Sequence, residues 1–378
     1  MSNPPFDVAV IGGGVIGASI AHQLARRGHN VAVLERGDGP SGASVACDGF
    51  VFLQSKSPGP SLELAKQSRK LYDTLEDELE ADVEFDPSGG IIVARDDDEL
   101  AFLREKVDLL AAAGVQVHML TRDEALARQP NLSLDIAGGS YCAADAQVNP
   151  LALVKAYLAS ARRHGATVLT RSPVQAIART NPAFELSTPE QTIAADKVVI
   201  AAGAWSGQVA ALMDIALPVR PRRGQLVVTE AAPRMLNMPM MTANYLRAKT
   251  SADGAAEDRA AGTSIEQTEA GTLLLGSTRE FAGFDATTTL RGIQSILAAA
   301  TALLPRLRDM AIIRSYAGLR PYCDLKRPIL GPVAEQPGVF IATGHEGDGI
   351  ALAPITGQLI ADWIDGRAPD VSGLGLDA

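Results

Sequence analysis

The stretch that decides the fold is Phe6-Asp-Val-Ala-Val-Ile11, which runs directly into Gly12-Gly-Gly14-Val-Ile-Gly17. The first six residues predict a buried strand, and a helical pattern from Ala18 to Arg27 follows the glycines. A second apolar strand, Val31-Ala-Val-Leu34, ends at Glu35. A strand, a glycine turn, a helix and a strand in this order predict a Rossmann-type unit that binds a dinucleotide.

Each glycine of this turn has a physical reason. Gly12 permits the tight turn, Gly14 lets the backbone approach a pyrophosphate, and Gly17 lets the helix pack closely on the strand. The helix N-terminus then offers free N–H groups and a positive dipole end to phosphates. Glu35 can accept hydrogen bonds from the ribose hydroxyls, and its charge disfavours the 2′-phosphate of NADP.

Two further segments favour FAD over NAD. Arg36 and Ser41-Gly-Ala-Ser44 lie where FAD proteins bring a second loop to the pyrophosphate. Thr343 to Ile350 is a second glycine-rich junction between a strand and a helix, whose positive end would stabilise negative charge on a reduced flavin. The residues predicted to bind the cofactor are Gly12, Gly14, Val15, Ile16, Gly17, Glu35, Arg36, Ser41, Gly42, Ala43, Ser44, Val174, Ala202, Gly203, Trp205, Gly224, Gly344, Gly347, Asp348, Gly349 and Ile350.

Composition excludes several classes of protein. A length of 378 residues predicts two or three domains, and a net charge of −10 argues against nucleic-acid or anionic-membrane binding. The three cysteines are scattered and form no metal or iron–sulfur motif, so no metal site is expected. With no signal peptide and no run of apolar residues long enough to span a membrane, the sequence predicts a soluble, cytoplasmic protein.

The rest of the chain alternates between segments with the hydrophobic period of a helix and segments with that of a strand. Gly89-Gly90, within residues 82–94, suggests a hairpin, Thr121 and Glu124 form a capping-box pattern, and the polar residues 254–262 suggest a mobile loop. Helices are expected at 62–79, 97–113, 150–161, 290–304 and 350–364, and strands at 167–169, 197–202, 225–229, 272–275 and 339–342.

The α/β elements at both ends of the chain predict one Rossmann-type FAD-binding domain built from discontinuous segments. The more β-rich middle predicts an inserted α+β substrate domain with a mainly antiparallel sheet. The FAD-binding segments are expected at 1–80, 145–220 and 323–378, and the substrate-domain segments at 81–144 and 221–322.

Four motifs carry a resemblance to a known family: Ala201 to Ser206, Pro221 to Gln225, Ala317 to Pro321, and Gly344 to Pro354. Together with the N-terminal glycines, they resemble the D-amino acid oxidase-type flavoprotein superfamily, which includes glycine oxidase and sarcosine oxidase. Covalent-flavin members have a cysteine where this chain has Arg320, so the resemblance implies non-covalent FAD.

Finer likeness points to one branch of the superfamily. Phe52 to Lys56, Tyr322 to Pro328 and Gly344 to Ile350 resemble catalytic β subunits of hetero-oligomeric dehydrogenases: opine (octopine or nopaline) oxidase, D-hydroxyproline dehydrogenase and hydrogen cyanide synthase. The resemblance implies partner subunits that carry further redox centres, with FMN at a subunit interface as one option. Lys56 and Arg327 are either neighbours of such an anionic second flavin or solvated surface cations.

The resemblance also assigns the substrate site. Arg320 matches the residue that binds the substrate carboxylate, as the fork of a guanidinium group allows. Tyr245 matches a tyrosine that orients the substrate, against the alternative of a plain strand aromatic. Glu346 and Asp348 flank Gly347, where glycine oxidase has a second arginine. These acids either meet a polar arm of the substrate, which makes Glu346 a candidate substrate ligand, or only shape the turn, and His345 is expected to be a turn residue bonded to backbone.

The expected reaction is oxidation of a secondary amine or amino acid, opine-like or a D- or imino acid, by hydride transfer from Cα to flavin N5. The resulting imine then hydrolyses. A stand-alone oxidase that uses O₂, a flavoprotein acting on a 2-hydroxy acid or glycerol phosphate, and a flavin-bound assembly protein without turnover remain alternatives.

Overall fold

The computed structural model describes residues 5–180, 182–250, 262–369, 371 and 373–376. The strands in this part of the chain are β1 (Phe6–Ile11), β2 (Val31–Leu34), β3 (Phe50–Val51), β4 (Gly90–Ala94), β5 (His118–Thr121), β6 (Gly138–Cys142), β7 (Ala146–Gln147), β8 (Thr167–Leu169), β9 (Ala176–Arg179), β10 (Phe184–Ser187), β11 (Thr192–Ile200), β12 (Val219–Ala231), β13 (Met240–Thr242), β14 (Ser264–Gln267), β15 (Thr272–Gly276), β16 (Ile312–Cys323), β17 (Ile329–Pro332) and β18 (Val339–Thr343).

The helices are α1 (Val15–Arg26), α2 (Pro60–Tyr72), α3 (Leu75–Leu79), α4 (Asp97–Ala112), α5 (Arg122–Arg128), α6 (Pro150–Arg163), α7 (Ser206–Ala211), α8 (Ala243–Thr250), α9 (Leu290–Leu303) and α10 (Gly349–Ile364). Short 3₁₀ helices cover Gly42–Val45, Gly203–Trp205, Pro305–Asp309 and Glu346–Asp348. Among the described residues, no helix has the length and apolar character needed to cross a lipid bilayer.

The first large sheet has the order β17-β18-β11-β1-β2-β8, with β10 and β9 extending from β11. Its central strands β18, β11, β1, β2 and β8 are parallel. Val8 and Val10 of β1 pack into the core that contains α1, α6 and α10, while Ala9 and Ile11 pack into the core on the opposite face. Burial on both faces explains why β1 is apolar throughout rather than alternating.

Helix α10 is docked beside α1 by small residues and one proline. Ser19 Oγ donates to the Ala353 carbonyl at 2.8 Å, and a Cβ on Gly357 would lie only 2.3 Å from Ser19 Oγ. Pro354 has no N–H, so the Ile350 carbonyl lacks its helical donor, and the Tyr72 hydroxyl of α2 donates to it at 2.6 Å. These contacts bring the N-termini of α1 and α10 to the same edge of the sheet.

The second large sheet has the order β16-β12-β15-β14-β13-β4-β6-β5. Every pairing in it is antiparallel except β13 with β4. Helix α9 packs Ile296, Ala300 and Leu303 into the core formed with this sheet. The predicted fold class, a Rossmann-type α/β unit with a mainly antiparallel sheet inserted into the chain, is confirmed.

Most predicted elements are present, with two corrections. The hairpin expected within residues 82–94 is wrong, because β4 pairs with the distant β6 and β13 instead of with a neighbouring strand. The single helix expected at 62–79 is two helices, α2 and α3, separated at Asp73 and Thr74. The capping box of Thr121 and Glu124 is present. Except for Gly262, the loop predicted at 254–262 lies outside the described residues.

The predicted domain boundaries stay a proposal. Their support is that the first sheet draws its strands from residues 6–34, 167–200 and 329–343, whereas the second draws them from 90–142 and 219–323.

Candidate active site

A cavity of about 430 Å³ lies between the two sheets. The carboxyl ends of β1, β2 and β11 form one wall, and residues of β12 and β16 form the other. This is the position in which open parallel sheets bind their ligands, because the loops after the strands diverge there. Residues from the two motif regions at opposite ends of the chain, 12–16 and 345–350, line it together.

The glycine turn packs so closely against neighbouring backbone that side chains would not fit at two of its positions. Gly12 has a φ of +113°, and a Cβ there would lie 2.5 Å from the Ala201 carbonyl oxygen. A Cβ on Gly17 would lie 1.9 Å from the Gly12 carbonyl oxygen, so only glycine lets α1 approach β1 this closely. Gly14 caps α1 with no side-chain acceptor, and Ser44 Oγ accepts from the Val15 N–H at 3.0 Å. The helix end therefore offers a positive dipole to a phosphate group.

Glu35 is only 5% exposed and organises the loops around the turn. Its Oε2 accepts from the Gly13 N–H at 2.7 Å, and its Oε1 accepts from the Gly37 N–H at 2.7 Å and from Ser41 Oγ at 2.8 Å. Each carboxylate oxygen can accept two hydrogen bonds. Oε2 accepts only one here, so it can accept another from a ribose hydroxyl. The donor set of this end of the cavity thus fits the dinucleotide part of FAD.

The predicted cofactor residues largely converge. Arg36 places its guanidinium carbon 3.4 Å from the centre of the Trp205 ring, and both residues line the cavity. Gly17 and Gly344 are not among the residues that line it. They act through packing, since a Cβ on Gly344, whose φ is +78°, would lie 3.0 Å from Cys323 Cβ. The other predicted cofactor residues that line the cavity are Gly12, Gly14, Val15, Ile16, Glu35, Ser41, Gly42, Ala43, Ser44, Val174, Ala202, Gly203, Gly224, Gly347, Asp348, Gly349 and Ile350.

His345 bonds to a side chain, so the expected bond to backbone is wrong. Its Nε2 lies 3.1 Å from Thr356 Oγ1 of α10, and its Nδ1 has no partner among the described residues. Burial lowers the pKa of His345 to about 4, against the opposing charge of Asp348. The ring is therefore neutral at physiological pH.

Basic residues already pair with the two acids of the C-terminal motif. Glu346 Oε1 accepts from Arg279 Nη1 at 2.8 Å and lies 3.7 Å from Arg222 Nη1. Burial would raise the pKa of Glu346, but Arg279, Arg320 and Arg222 outweigh it and lower the pKa to about 2. Since this carboxylate already has its cations, the geometry favours a turn-shaping role, and direct contact of Glu346 with substrate stays a prediction.

Asp348 has two lysine partners. Lys56 Nζ and Lys249 Nζ each donate to Asp348 Oδ1 at 2.7 Å. Burial opposes ionisation, but Lys249 and Lys56 hold the pKa of Asp348 well below its ordinary value. Lys56 is 4% exposed, and burial lowers its own pKa to about 8. Lys56 is therefore not a solvated surface cation, whereas Arg327 donates to the Pro328 and Gly375 carbonyls outside this cavity wall.

Arg320 and Tyr245 meet at Ser277. Arg320 Nη2 donates to Ser277 Oγ at 2.6 Å and Nη1 donates to the Thr278 carbonyl at 3.1 Å, while the Tyr245 hydroxyl lies 2.9 Å from Ser277 Oγ. Gly224 makes room for the guanidinium, because a Cβ there would lie 2.2 Å from Arg320 Nη1. Among the described residues no carboxylate lies within ion-pair distance of Arg320, which lines the cavity, although its charge lowers the pKa of Glu346 and opposes the rise in the pKa of Asp48.

Tyr245 lies on α8, so the alternative of a strand aromatic is wrong. Its hydroxyl also accepts from Arg279 Nη2 at 3.2 Å. Burial would raise the pKa of Tyr245, but the nearby Arg279 and Arg320 charges outweigh it and lower the pKa. The hydroxyl is thereby held in a fixed orientation at the cavity wall.

Sequence reasoning missed several residues of this wall. Arg279, Lys249 and Asp48 line the cavity, yet none lies in a recognisable motif. Ser277, which links Arg320 to Tyr245, follows β15 without any pattern of its own. Within the described residues, no group of three or more His, Cys, Asp or Glu side chains could hold a metal ion.

Comparison with known proteins gives a consistent result. Residues 7–363 match a family described as DAO, FAD dependent oxidoreductase. The glycine oxidase of Geobacillus kaustophilus is 33% identical over 95% of this chain and 93% of its own length. The HcnC subunit of the hydrogen cyanide synthase of Pseudomonas aeruginosa is 31% identical over 95% of this chain and 92% of its own length. One subunit of the opine oxidase of Rhizobium meliloti is 30% identical over 95% of this chain and 93% of its own length.

Similarity extends to the three-dimensional structure. The crystal structure of glycine oxidase from Geobacillus kaustophilus matches this fold with a TM-score of 0.91 over 99% of both chains, at 32% identity.

Proposed function

Because the chain belongs to the DAO family of FAD-dependent oxidoreductases, we propose that it oxidises a secondary amine or an amino acid, either opine-like or a D- or imino acid, as the catalytic subunit of a hetero-oligomeric dehydrogenase. Family membership establishes an FAD-dependent enzyme that acts on amino or amine donors. The substrate and the partner subunits are the proposed part.

The residues around the glycine turn would hold the dinucleotide. Glu35 would accept from the ribose, and the N-terminus of α1, opened by Gly14, would face the pyrophosphate. When bound, FAD would accept a hydride, which carries both of the electrons that the substrate loses. The N-terminus of α10, at Gly349, would stabilise negative charge at the flavin ring through its dipole. No cysteine occupies position 320, so FAD is held without a covalent bond there.

The guanidinium of Arg320, which lines the cavity without a direct ion pair to a described carboxylate, is the single observation that carries the substrate proposal. A cation that faces a cavity with no carboxylate in direct contact is expected to bind an anionic ligand group. Its planar fork matches a carboxylate, and Ser277 and Thr278 fix its orientation from behind. Arg320 would therefore anchor the substrate carboxylate, which turns Cα toward the cofactor end of the cavity.

Tyr245 would complete the orientation. Its hydroxyl is shared between Ser277 and Arg279, so it presents a fixed polar group beside the bound carboxylate. With the substrate held at two points, the reacting C–H is positioned rather than activated by a strong acid or base.

Two relatives support the proposed assembly. The hydrogen cyanide synthase relative and the opine oxidase relative are each named as subunits. This chain aligns with more than nine-tenths of the length of each of them. Co-purification of the tagged chain from its native host, with flavin counted per complex, tests this proposal and the option of an FMN at an interface. A chain that elutes alone with one FAD and full activity would contradict it.

A panel of substrates tests the reaction itself. The FAD-loaded protein is mixed anaerobically with opines, D-amino acids, imino acids, glycine and, as a control class, 2-hydroxy acids, and the flavin absorbance is followed. Bleaching by amines but not by hydroxy acids is expected. Bleaching by hydroxy acids alone, or by none of these compounds, would overturn the proposed chemistry.

The glycine oxidases among the relatives favour one second candidate, a stand-alone oxidase that uses O₂. Re-oxidation of the reduced protein by O₂ and by an artificial dye separates the two. Fast turnover with O₂ supports the oxidase, whereas turnover only with the dye supports the hetero-oligomeric dehydrogenase.

A further inference from the structure

Asp48 presents a carboxylate to the same cavity as Arg320 and Tyr245. It follows the short helix Gly42–Val45 and is half-buried. Its Oδ2 accepts from Ser264 Oγ at 3.1 Å. No hydrogen bond among the described residues reaches its Oδ1, and none of their basic groups forms an ion pair with it. One acceptor oxygen of Asp48 is therefore available to a ligand.

The surroundings of Asp48 combine burial with several charges. Burial raises the pKa of Asp48, and the Arg320 guanidinium and the Ser264 hydrogen bond oppose that rise. The titratable and charged groups that face Asp48 are Cys47 beside it, Glu266 on β14, Arg320 and Tyr316 on β16, Lys249 and Tyr245 on α8, and Arg279 after β15. A carboxylate with a raised pKa is a stronger proton acceptor than an ordinary aspartate.

The proposed substrate brings a proton that must leave. Alkyl amines such as that of lysine have an unperturbed pKa of about 10.4 and are almost fully protonated at pH 7. An ammonium nitrogen has no lone pair with which to form the imine, so it must lose a proton before Cα is oxidised. In an α-amino acid the nitrogen lies two bonds from the carboxylate carbon, so the groups that meet the two ends must be neighbours.

Arg320 and Asp48 line one cavity with opposite charges, and the Arg320 charge is the largest influence that opposes the rise in the pKa of Asp48, as expected of groups that lie close together. We propose that Asp48 accepts the proton of the substrate ammonium group while Arg320 holds the carboxylate, an inference that rests on the proposed function. In this step an N–H bond of the substrate breaks and an O–H bond forms on the Asp48 carboxylate, leaving a neutral amine and a neutral carboxylic acid. No electrons are transferred in it, and the proton leaves to solvent after the product does.

Asp48→Asn is the direct test, because it removes the acceptor while keeping the shape of the side chain. The rate of anaerobic flavin reduction is measured by rapid mixing with the amine that bleaches the wild-type protein best, from pH 6 to pH 10. The expected result is a loss of about 100-fold at pH 7, in the range typical of a general base. The rate of the variant should rise about tenfold per pH unit and approach that of the wild type near the pKa of the free amine.

A second readout separates this role from a structural one. A planar carboxylate without an amine, such as benzoate, should still perturb the flavin spectrum of Asp48→Asn, because Arg320 and Tyr245, which would hold its carboxylate, are unchanged. If Asp48 served only as a counterion for Arg320, the variant would bind benzoate and would also keep the wild-type pH profile of flavin reduction. That outcome overturns the proposal.

Glu266→Gln is the matched control, since it removes a second buried carboxylate that is close to Asp48. Glu266 accepts from the Gly49 N–H at 2.8 Å and lines a separate cavity. This variant should keep the wild-type reduction rate and pH profile, because Glu266 does not line the active-site cavity and because burial and the neighbouring Asp48 charge raise its pKa, so that little charge is lost. A loss as large as in Asp48→Asn would overturn the specific role of Asp48.

The wild type alone supplies a check that needs no variant. The pH below which its rate of flavin reduction falls must lie well below the pKa of the free substrate amine. A fall in rate that begins at the pKa of the amine overturns the proposal, even if Asp48→Asn fails to bind FAD. If an amine bleaches the wild type and Asp48→Asn equally at every pH, the role of Asp48 fails while the proposed function stands. If no amine bleaches the wild type, the proposed function fails and the role of Asp48 fails with it.

Discussion

Truncation of Arg320 is the perturbation that tests the substrate site most directly. A guanidinium group has five N–H donors, and Arg320 uses one for the Thr278 carbonyl and one for Ser277 Oγ. Three donors therefore remain for a ligand, enough for a two-point contact with a carboxylate. Arg320→Ala removes this contact and its charge, while the glycine turn that would hold FAD is left intact.

The magnitude follows from that count. A hydrogen bond to a charged group contributes about 1.5–3 kcal/mol, so two of them contribute about 3–6 kcal/mol. At about 1.4 kcal/mol per tenfold change in affinity, Arg320→Ala should weaken substrate binding by roughly 100-fold to 10,000-fold. FAD content should stay at the wild-type level.

The assay is anaerobic flavin reduction at a series of substrate concentrations, which separates the dissociation constant from the limiting rate. Arg320→Lys keeps the charge but loses the fork, so it should fall between the wild type and Arg320→Ala. Arg314→Ala, an exposed arginine on the same strand, is the control for general damage to β16. A wild-type dissociation constant in Arg320→Ala would refute the anchor role.

Three further predictions concern the cofactor, the substrate and pH. Gly12→Ala should yield a colourless, FAD-free protein, since the new Cβ would lie 2.5 Å from a carbonyl oxygen; full FAD content in its absorption spectrum would contradict the assigned turn. Tyr245→Phe should raise KM several-fold with little change in stability, because Ser277 keeps its bond to Arg320; steady-state kinetics and thermal melts decide, and an unchanged KM would count against substrate contact. His345 has a folded pKa of about 4, below its unfolded value of about 6.5, so the unfolded state binds the extra proton and stability should fall as the pH drops from 6.5 toward 4. Melting temperatures of His345→Asn should fall less steeply over that range, and parallel curves would contradict this.

Local sequence determined the elements whose causes are local. The Gly12-x-Gly14-x-x-Gly17 turn, the carboxylate at Glu35 and the capping box at Thr121 each depend on residues within one short supersecondary unit. Backbone sterics and capping act over a few positions, so the pattern is sufficient to predict them. The prediction of a dinucleotide-binding unit rested on this kind of information.

The resemblance supplied more than periodicity could. It assigned Arg320 and Tyr245 to the substrate site, and the structure brings both to Ser277 in one cavity. Their roles stay proposals, because contact with a substrate is not a property of the chain alone. Neither residue has a sequence neighbour that would have identified it without the family motif.

Only the tertiary structure decided the features that depend on distant pairings. The hairpin expected near Gly89-Gly90 does not form because β4 finds its partners about 50 and 150 residues away, and strand pairing is set by burial across the whole sheet. The ion pair of Lys56 with Asp348 spans 292 residues, and Asp48 and Arg320 line one cavity although they are far apart in the chain. The interaction between two charges depends on the distance between them, and folding sets that distance for residues far apart in the chain. The pairing of charges inside the cavity could therefore be determined only from the folded structure.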